Sequence, residues 1–278
     1  MNNDPGGLPY GLTWWLDAVC PGRWSGLVLD DYRLVMPLPR EPFSWRSPWR
    51  SWARPRVQRP FFTQQCGPFG TLLPHDLPRL LPPLFNGGPG GGLPFSESIN
   101  EADFPVGYPL ARRTNLVLDL SPPLENIRAG YHRDLRRKLR KHGPATLLPA
   151  DPELVLSVYR EQIAAKAGLK SKHFTRARAL IKAALRNDAG YCYQLLGADE
   201  ELLAVGFFPL HRGRIINLMP ASTPAGYRRQ GMALLLDAVI ERHRGPGHLF
   251  DFEGSDIPGI ASFFRAFGPE LRPYLTAR

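Results

Sequence analysis

The 278 residues carry 35 Lys and Arg against 25 Asp and Glu, a formal net charge of +10 with a pI near 9.8. Hydrophobic residues make up 43 % of the chain, which excludes a disordered composition and suits two domains of roughly 140 residues or one large one. The charge favours anionic partners, whether nucleotide-like cofactors, nucleic acid or an acidic membrane surface, and does not choose among them. Cys20, Cys66 and Cys192 lie far apart with no Cys-x-x-Cys spacing, so neither a zinc site nor a disulfide framework is expected, and reduced thiols in a cytoplasmic protein are. The seven His show no ligand spacing, so no metal is expected. MNNDPGGLPYG is no signal sequence, and no run of about 18 apolar residues is available to span a membrane.

In chain order, Thr13 to Val19 reads as a short helix. Two apolar runs then flank Asp31, between Trp24 and Pro39, and read as an antiparallel hairpin. Arg40 to Pro60 interleaves Trp45, Trp49 and Trp52 with Arg46, Arg50, Arg54, Arg56 and Arg59, and its prolines oppose a helix. It is either a hairpin tip whose aromatics pack back, or a surface for an anionic or lipid-linked acceptor. Asn86 to Gly92 reads as a flexible surface loop. Thr114 to Ser121 reads as a strand and Leu124 to His142 as one helix with a basic end. In that helix Leu135 and Leu139, four apart, bury one stripe and leave the charges exposed. A solvated face is the default reading of those charges, and phosphate binding is the sharper one.

A boundary is expected near 143–150. Asp151-Pro152-Glu153 starts a helix, with an N-cap and Pro in its first turn, that runs to about Ala167 and stops at Gly168. Thr175 to Asn187 gives another, capped by Thr175, with Leu180, Ile181, Ala184 and Leu185 on one stripe. Cys192 to Leu210, turning at Ala198-Asp199-Glu200-Glu201, repeats the hairpin shape of the first half and suggests a diverged internal duplication.

Residues 214–268 carry the most informative pattern. Ile215 to Met219 reads as a buried strand. Arg228-Arg229-Gln230-Gly231-Met232-Ala233 then opens an apolar helix, His248 to Glu253 forms a second strand, and another helix begins near Pro258. Unpartnered amides and the dipole at a helix start favour phosphate. The spacing Arg228-x-x-Gly231-x-Ala233 resembles the pyrophosphate loop of the GNAT acyltransferase superfamily. Phe250 to Ser255 and Phe263 to Gly268 resemble the C-terminal segment of Fem-like double-GNAT proteins, which act as peptidoglycan aminoacyltransferases.

The resemblance implies an α+β fold of two GNAT-like domains with mixed sheets flanked by helices. It divides the chain into a degenerate N-terminal domain over 1–120, a basic connecting helix over 121–145, and an acyltransferase domain over 146–278. It implies an acetyl-CoA or other acyl-CoA co-substrate at Arg228, Arg229, Gln230, Gly231, Met232 and Ala233, and an amine-bearing acceptor that could be a cell-envelope precursor. Peripheral membrane contact fits the composition. Two alternatives stay open: a Fem-type aminoacyl-tRNA donor acting on a cell-wall precursor, disfavoured by the lack of sustained heptads, and a non-catalytic binding protein. The polarising amides belong on the strand Ile215 to Met219, with Pro220 as the point where pairing fails.

Asp251 and Glu253 alternate, so both are expected on one strand face. Glu253 is the candidate base or orienting acid, a salt bridge to a neighbouring Arg being the alternative. Arg265 stands near the position of a Fem Lys thought to stabilise charge in the transition state. It can stabilise an oxyanion and cannot act as a base. Tyr274 and Ser262 are open as proton donors to a leaving thiolate.

Overall fold

The computed structural model describes residues 8–40, 57–85, 93–142, 144–254 and 257–277. Trp45, Trp49, Trp52 and the 86–92 loop lie outside them. The chain forms two compact units, one of Met1–Arg113 with Pro273–Arg278 and one of Thr114–Arg272. The first ends before the boundary at 120 drawn from sequence. The larger unit takes in the whole basic region, and the last six residues go back to the smaller one.

The smaller unit contains α1 (Thr13–Val19), β1 (Trp24–Leu29), β2 (Leu34–Pro39), β3 (Phe69–Gly70), α2 (Asp76–Phe85) and β4 (Leu110–Arg113). The hairpin around Asp31 forms as its pattern predicts, with Trp24 opposite Pro39 and Leu29 opposite Leu34. Leu34, Met36, Leu38, Phe95 and Phe104 build its core.

The larger unit runs β5 (Leu116–Asp119), α3 (Leu124–Ala129), α4 (Arg133–Lys141), β6 (Ala145–Pro149), α5 (Pro152–Ile163), α6 (Ser171–Arg186), β7 (Gly190–Gly197), β8 (Leu202–His211), β9 (Arg214–Ile216), β10 (Met219–Ser222), α7 (Pro224–Arg228), α8 (Gly231–Arg242), β11 (Leu249–Asp251), α9 (Pro258–Arg265) and β12 (Glu270–Leu271). The chain then enters β13 (Tyr274–Ala277), which pairs with β4 in the smaller unit. In the large sheet the order is β12-β5-β11-β9-β8-β7-β6, and β10 pairs with β8 off that path. Among the described residues only β9 and β11 are parallel. Helix α8 covers one face of the sheet, with Leu235, Leu236, Val239 and Ile240 fully buried among Phe208, Ile215 and Phe250.

Several expected boundaries move for local reasons. The helix over 124–142 breaks in two at Gly130, because His132 N donates to Ala266 O at 2.7 Å and the His132 imidazole caps the second helix. The boundary region 143–150 holds β6, an edge strand on β7. Helix α6 begins a turn before Thr175, whose hydroxyl bonds Ser171 O at 3.3 Å, and Leu185 of its stripe is exposed. The start of α5 follows the sequence: Asp151 Oδ1 accepts from Glu153 N at 2.7 Å, with Pro152 in the first turn. Gly168, at φ +63°, takes the left-handed turn that follows.

Candidate active site

The run from Ile215 to Met219 is two strands. Pairing of β9 with β11 ends at Ile216 and Asp251, Asn217 N reaches Asp251 O at 2.8 Å, and Leu218 N folds back to Ile216 O at 3.0 Å. Beyond this break the chain stays on β8 as β10 and leaves β11. Asn217 is buried at the break, and neither Nδ2 nor Oδ1 of its side chain has a partner among the described residues.

The break frees one backbone donor. Thr223 N donates to Leu203 O at 3.0 Å, in register with Ala221 opposite Val205 and Met219 opposite Phe207. Bonds toward one neighbour fall on alternate residues of an antiparallel ladder. Met219, Ala221 and Thr223 therefore face β8, while Pro220 and Ser222 face the open edge. Pro220 has no N–H, so the donor on that edge is Ser222. The sequence placed the polarising amides before Pro220; the geometry moves the free one after it.

Pro220 and Ser222 line a cavity of about 340 Å³ with Gly226, Gln230, Met232 and Ala233, closed by Phe263 and Phe264 of α9. Three of the six pyrophosphate-loop residues thus border it. Gln230 adopts φ +57° as the N-cap of α8, and no side chain caps that end. The first-turn amides of α8 are therefore left for a ligand.

The rest of the loop departs from expectation. Arg229 is held by the β7–β8 turn, its Nη1 2.7 Å from Asp199 and 3.4 Å from Glu201. Arg228 is exposed, with Glu201 at 3.9 Å. A Cβ on Gly231 would lie 2.9 Å from both Gly226 Cα and Leu203 O, and one on Gly226 only 1.8 Å from Leu203 O. Both glycines let α7 and α8 lie against the β8 backbone, so Gly231 serves packing rather than only ligand approach. Lys166 Nζ sits 5.3 Å over the ring of Tyr227, a cavity residue, and is a cation the sequence reading did not single out.

Asp251 and Glu253 do not share a strand face. β11 ends at Asp251, and Glu253 turns to φ +57°. Asp251 is fully buried, with Oδ2 2.6 Å from Arg214 Nη2 and Oδ1 accepting from Glu253 N at 2.8 Å. Asp251 is thus structural, and Glu253 is half-buried beyond the strand. Glu253 acts electrostatically on Tyr159: burial first and the Glu253 charge second push that phenol up to about 12. Tyr159 lies one helical turn before Ile163, which lines the cavity. No pattern in the sequence marks it, because the link to Glu253 spans 94 positions of chain (253 − 159).

Arg265 is not in this cavity. It lines a second one of about 490 Å³, with Ser262, His132 and Lys138. Tyr274 is buried in β13 of the other unit. The three thiols are buried and form no disulfide among the described residues, and burial pushes Cys66 and Cys192 up to about 12. Among the described residues no cluster of His, Cys, Asp or Glu could hold a metal, and no helix is long and apolar enough to cross a membrane.

Residues 128–258 match the family model described as an acetyltransferase (GNAT) domain. Among solved structures, FemX is similar with a TM-score of 0.69 and 10 % identity, over 98 % of this chain and 93 % of its own. The C-terminal domain of a protein assigned as a lysylphosphatidylglycerol synthetase, from Agrobacterium fabrum, has a TM-score of 0.54 at 13 % identity, over 95 % and 86 %. L-PGS from Bacillus licheniformis has 0.52 at 16 % identity, again over 95 % and 86 %. A search of the curated proteins gives no match.

Proposed function

From the GNAT-domain match over residues 128–258 and the Fem-like fold, we propose that the chain is a GNAT N-acyltransferase that transfers an acyl group from acyl-CoA to an amine. The observation that carries this reading is the outer edge of β10: Ser222 N–H, which points away from β8, beside a cavity that runs to the start of α8, which has no side-chain cap. Acyl transfer needs a donor aimed where the carbonyl oxygen becomes negative, and such a donor lowers the barrier by about 3 kcal/mol.

In this reading the pyrophosphate lies at the amides of Gly231, Met232 and Ala233, with Gln230 shaping the turn and Arg228 and Lys166 supplying charge. The amine attacks the carbonyl carbon, and Ser222 N–H receives the developing oxyanion. Glu253 takes the proton that the nitrogen sheds. The C–S bond breaks, and in this reading Tyr159, protonated at neutral pH, returns a proton to the thiolate. The acceptor is an amine, for which a cell-envelope precursor is one candidate, and a cytoplasmic setting fits thiols that form no disulfide among the described residues.

A second reading, an aminoacyl-tRNA donor, draws support from Arg229. With that guanidinium committed to Asp199 and Glu201, the α8 end holds less charge for a pyrophosphate. Isothermal titration with CoA, acetyl-CoA and aminoacyl-tRNA separates the two. Micromolar CoA binding that weakens in Arg228→Gln supports the first. Binding of aminoacyl-tRNA alone removes it.

A further inference from the structure

The second cavity is absorbed by none of this chemistry. It lies between α4 and α9, with His132, Asp134, Leu135 and Lys138 on one wall and Gly259, Ser262, Phe263, Arg265 and Ala266 on the other. Its floor is apolar and its rim is cationic. Lys138 and Arg265 are both exposed at that rim. The carboxylate there, Asp134, is turned to Arg137 at 3.2 Å. His132 Nδ1 accepts from Asp134 N at 3.4 Å, which leaves Nε2–H as a donor in the neutral ring.

The walls are fixed to each other. His132 N donates to Ala266 O at 2.7 Å, Tyr131 meets Phe267 edge to face at 5.2 Å, and Gly268 packs so tightly that a Cβ there would lie 2.6 Å from Gly130 O. A cleft built this way needs little ordering to bind a ligand. The rest of α4 adds Arg133, Arg136, Arg137, Arg140 and Lys141 along an exposed surface, a field that concentrates anions around the cleft.

We propose that this cleft is an anion site, separate from the donor cavity, that binds the phosphate group of a phosphate ester. Arg265 supplies a fork of N–H donors and Lys138 a point charge, the two ways side chains hold phosphate oxygens. Ser262 and His132 complete the donor set, and Leu135, Phe263 and Ala266 take the carbon part of the ligand. Phe263 lines both cavities, so a molecule anchored by its phosphate here extends toward the Ser222 edge.

The test measures binding of pyrophosphate and glycerol 3-phosphate by titration calorimetry, and sedimentation with phosphatidylglycerol-containing vesicles. The double variant Lys138→Gln/Arg265→Gln should weaken binding at least tenfold. Arg140→Gln, on α4 away from the cleft, should change it less than twofold. The charge-keeping pair Lys138→Arg/Arg265→Lys should stay within threefold of wild type. Loss on the soluble probes identifies a free phosphate ester as the ligand, and loss on vesicles alone identifies a lipid headgroup. Unchanged binding in the double variant overturns the site. So does an equal loss in Arg140→Gln, with these probes or with duplex RNA, since it would mean a diffuse charged surface. CoA affinity should be unaffected in the double variant; its loss would make this cleft part of the donor site.

Discussion

Arg214 and Asp251 form an ion pair sealed from solvent, with Nε and Nη2 of the guanidinium 2.7 and 2.6 Å from the same carboxylate oxygen. The pair ties the first residue of β9 to the last of β11, and Asp251 also holds the turn that carries Glu253 through its bond from Glu253 N. Removing one partner of such a pair leaves a buried charge uncompensated, at about 3–5 kcal/mol. Asp251→Asn should lose about that much in urea unfolding. Arg214→Met with Asp251→Leu should recover most of it. A loss below about 1 kcal/mol in Asp251→Asn would show that the pair is unimportant to stability.

The glycines at the α7–α8 corner make a second stability test. Gly226→Ala forces its methyl into the Leu203 carbonyl, and Gly231→Ala crowds both that carbonyl and Gly226. Overpacking of this kind costs about 1–3 kcal/mol or more. Thermal melts should rank Gly226→Ala below Gly231→Ala and both below wild type. CoA affinity has to be compared per folded molecule.

Ser222→Pro tests the free amide directly. Proline is tolerated on a strand edge that makes no ladder bond, and the substitution deletes the N–H while Thr223 keeps its bond to Leu203 O. Turnover should fall by about 10²–10³ with CoA affinity within threefold. Full activity in this variant would move the oxyanion donor elsewhere.

Glu253→Gln keeps shape and removes charge. If Glu253 takes the proton of the amine, turnover should drop by about 10²–10⁴, and the deficit should shrink as pH rises and the amine deprotonates itself. If it is only a charge partner, the variant should melt earlier at full activity per folded molecule. Spectrophotometric titration should also show the Tyr159 phenol ionising below its present value near 12, because a nearby negative charge is gone.

His243 gives the acid limb of stability. Burial first, then Arg242 and His248, hold it down at about 4, while Tyr193 OH contacts its Nε2 at 2.9 Å. The unfolded ring takes its proton near pH 6.5, so between pH 6.5 and 4 the unfolded chain binds more protons and stability falls as pH falls. Below about 4 this contribution is level. The slope of melting temperature over that window should flatten in His243→Gln relative to wild type.

Much of this fold was legible from local pattern. The hairpin on Asp31, the hairpin on Asp199 and the helix after Gly231 each satisfy their rules within a dozen residues. What escaped was set by partners distant in sequence. A continuous apolar run has no period, so nothing in Ile215 to Met219 announced a break at Asn217. The charge on Arg229 promised a phosphate ligand until Asp199, 30 positions away, was seen to hold it. Strict alternation put Glu253 beside Asp251, and one left-handed residue undid it. The open amide at Ser222 could have been found from Pro220: a proline on a strand edge marks which neighbours face outward.

The return of the chain to its first unit sets an order of manufacture. Among the described residues β4 pairs only with β13, and Phe95 N and Ala277 N complete bonds to Leu275 O and Leu93 O across that same strand. Leu275 and Ala277 belong to the smaller unit's core. On the ribosome the unit begun first is therefore the one finished last, because its closing strand emerges after all of 114–272 has been made. Until then, the first unit lacks the strand that completes its core.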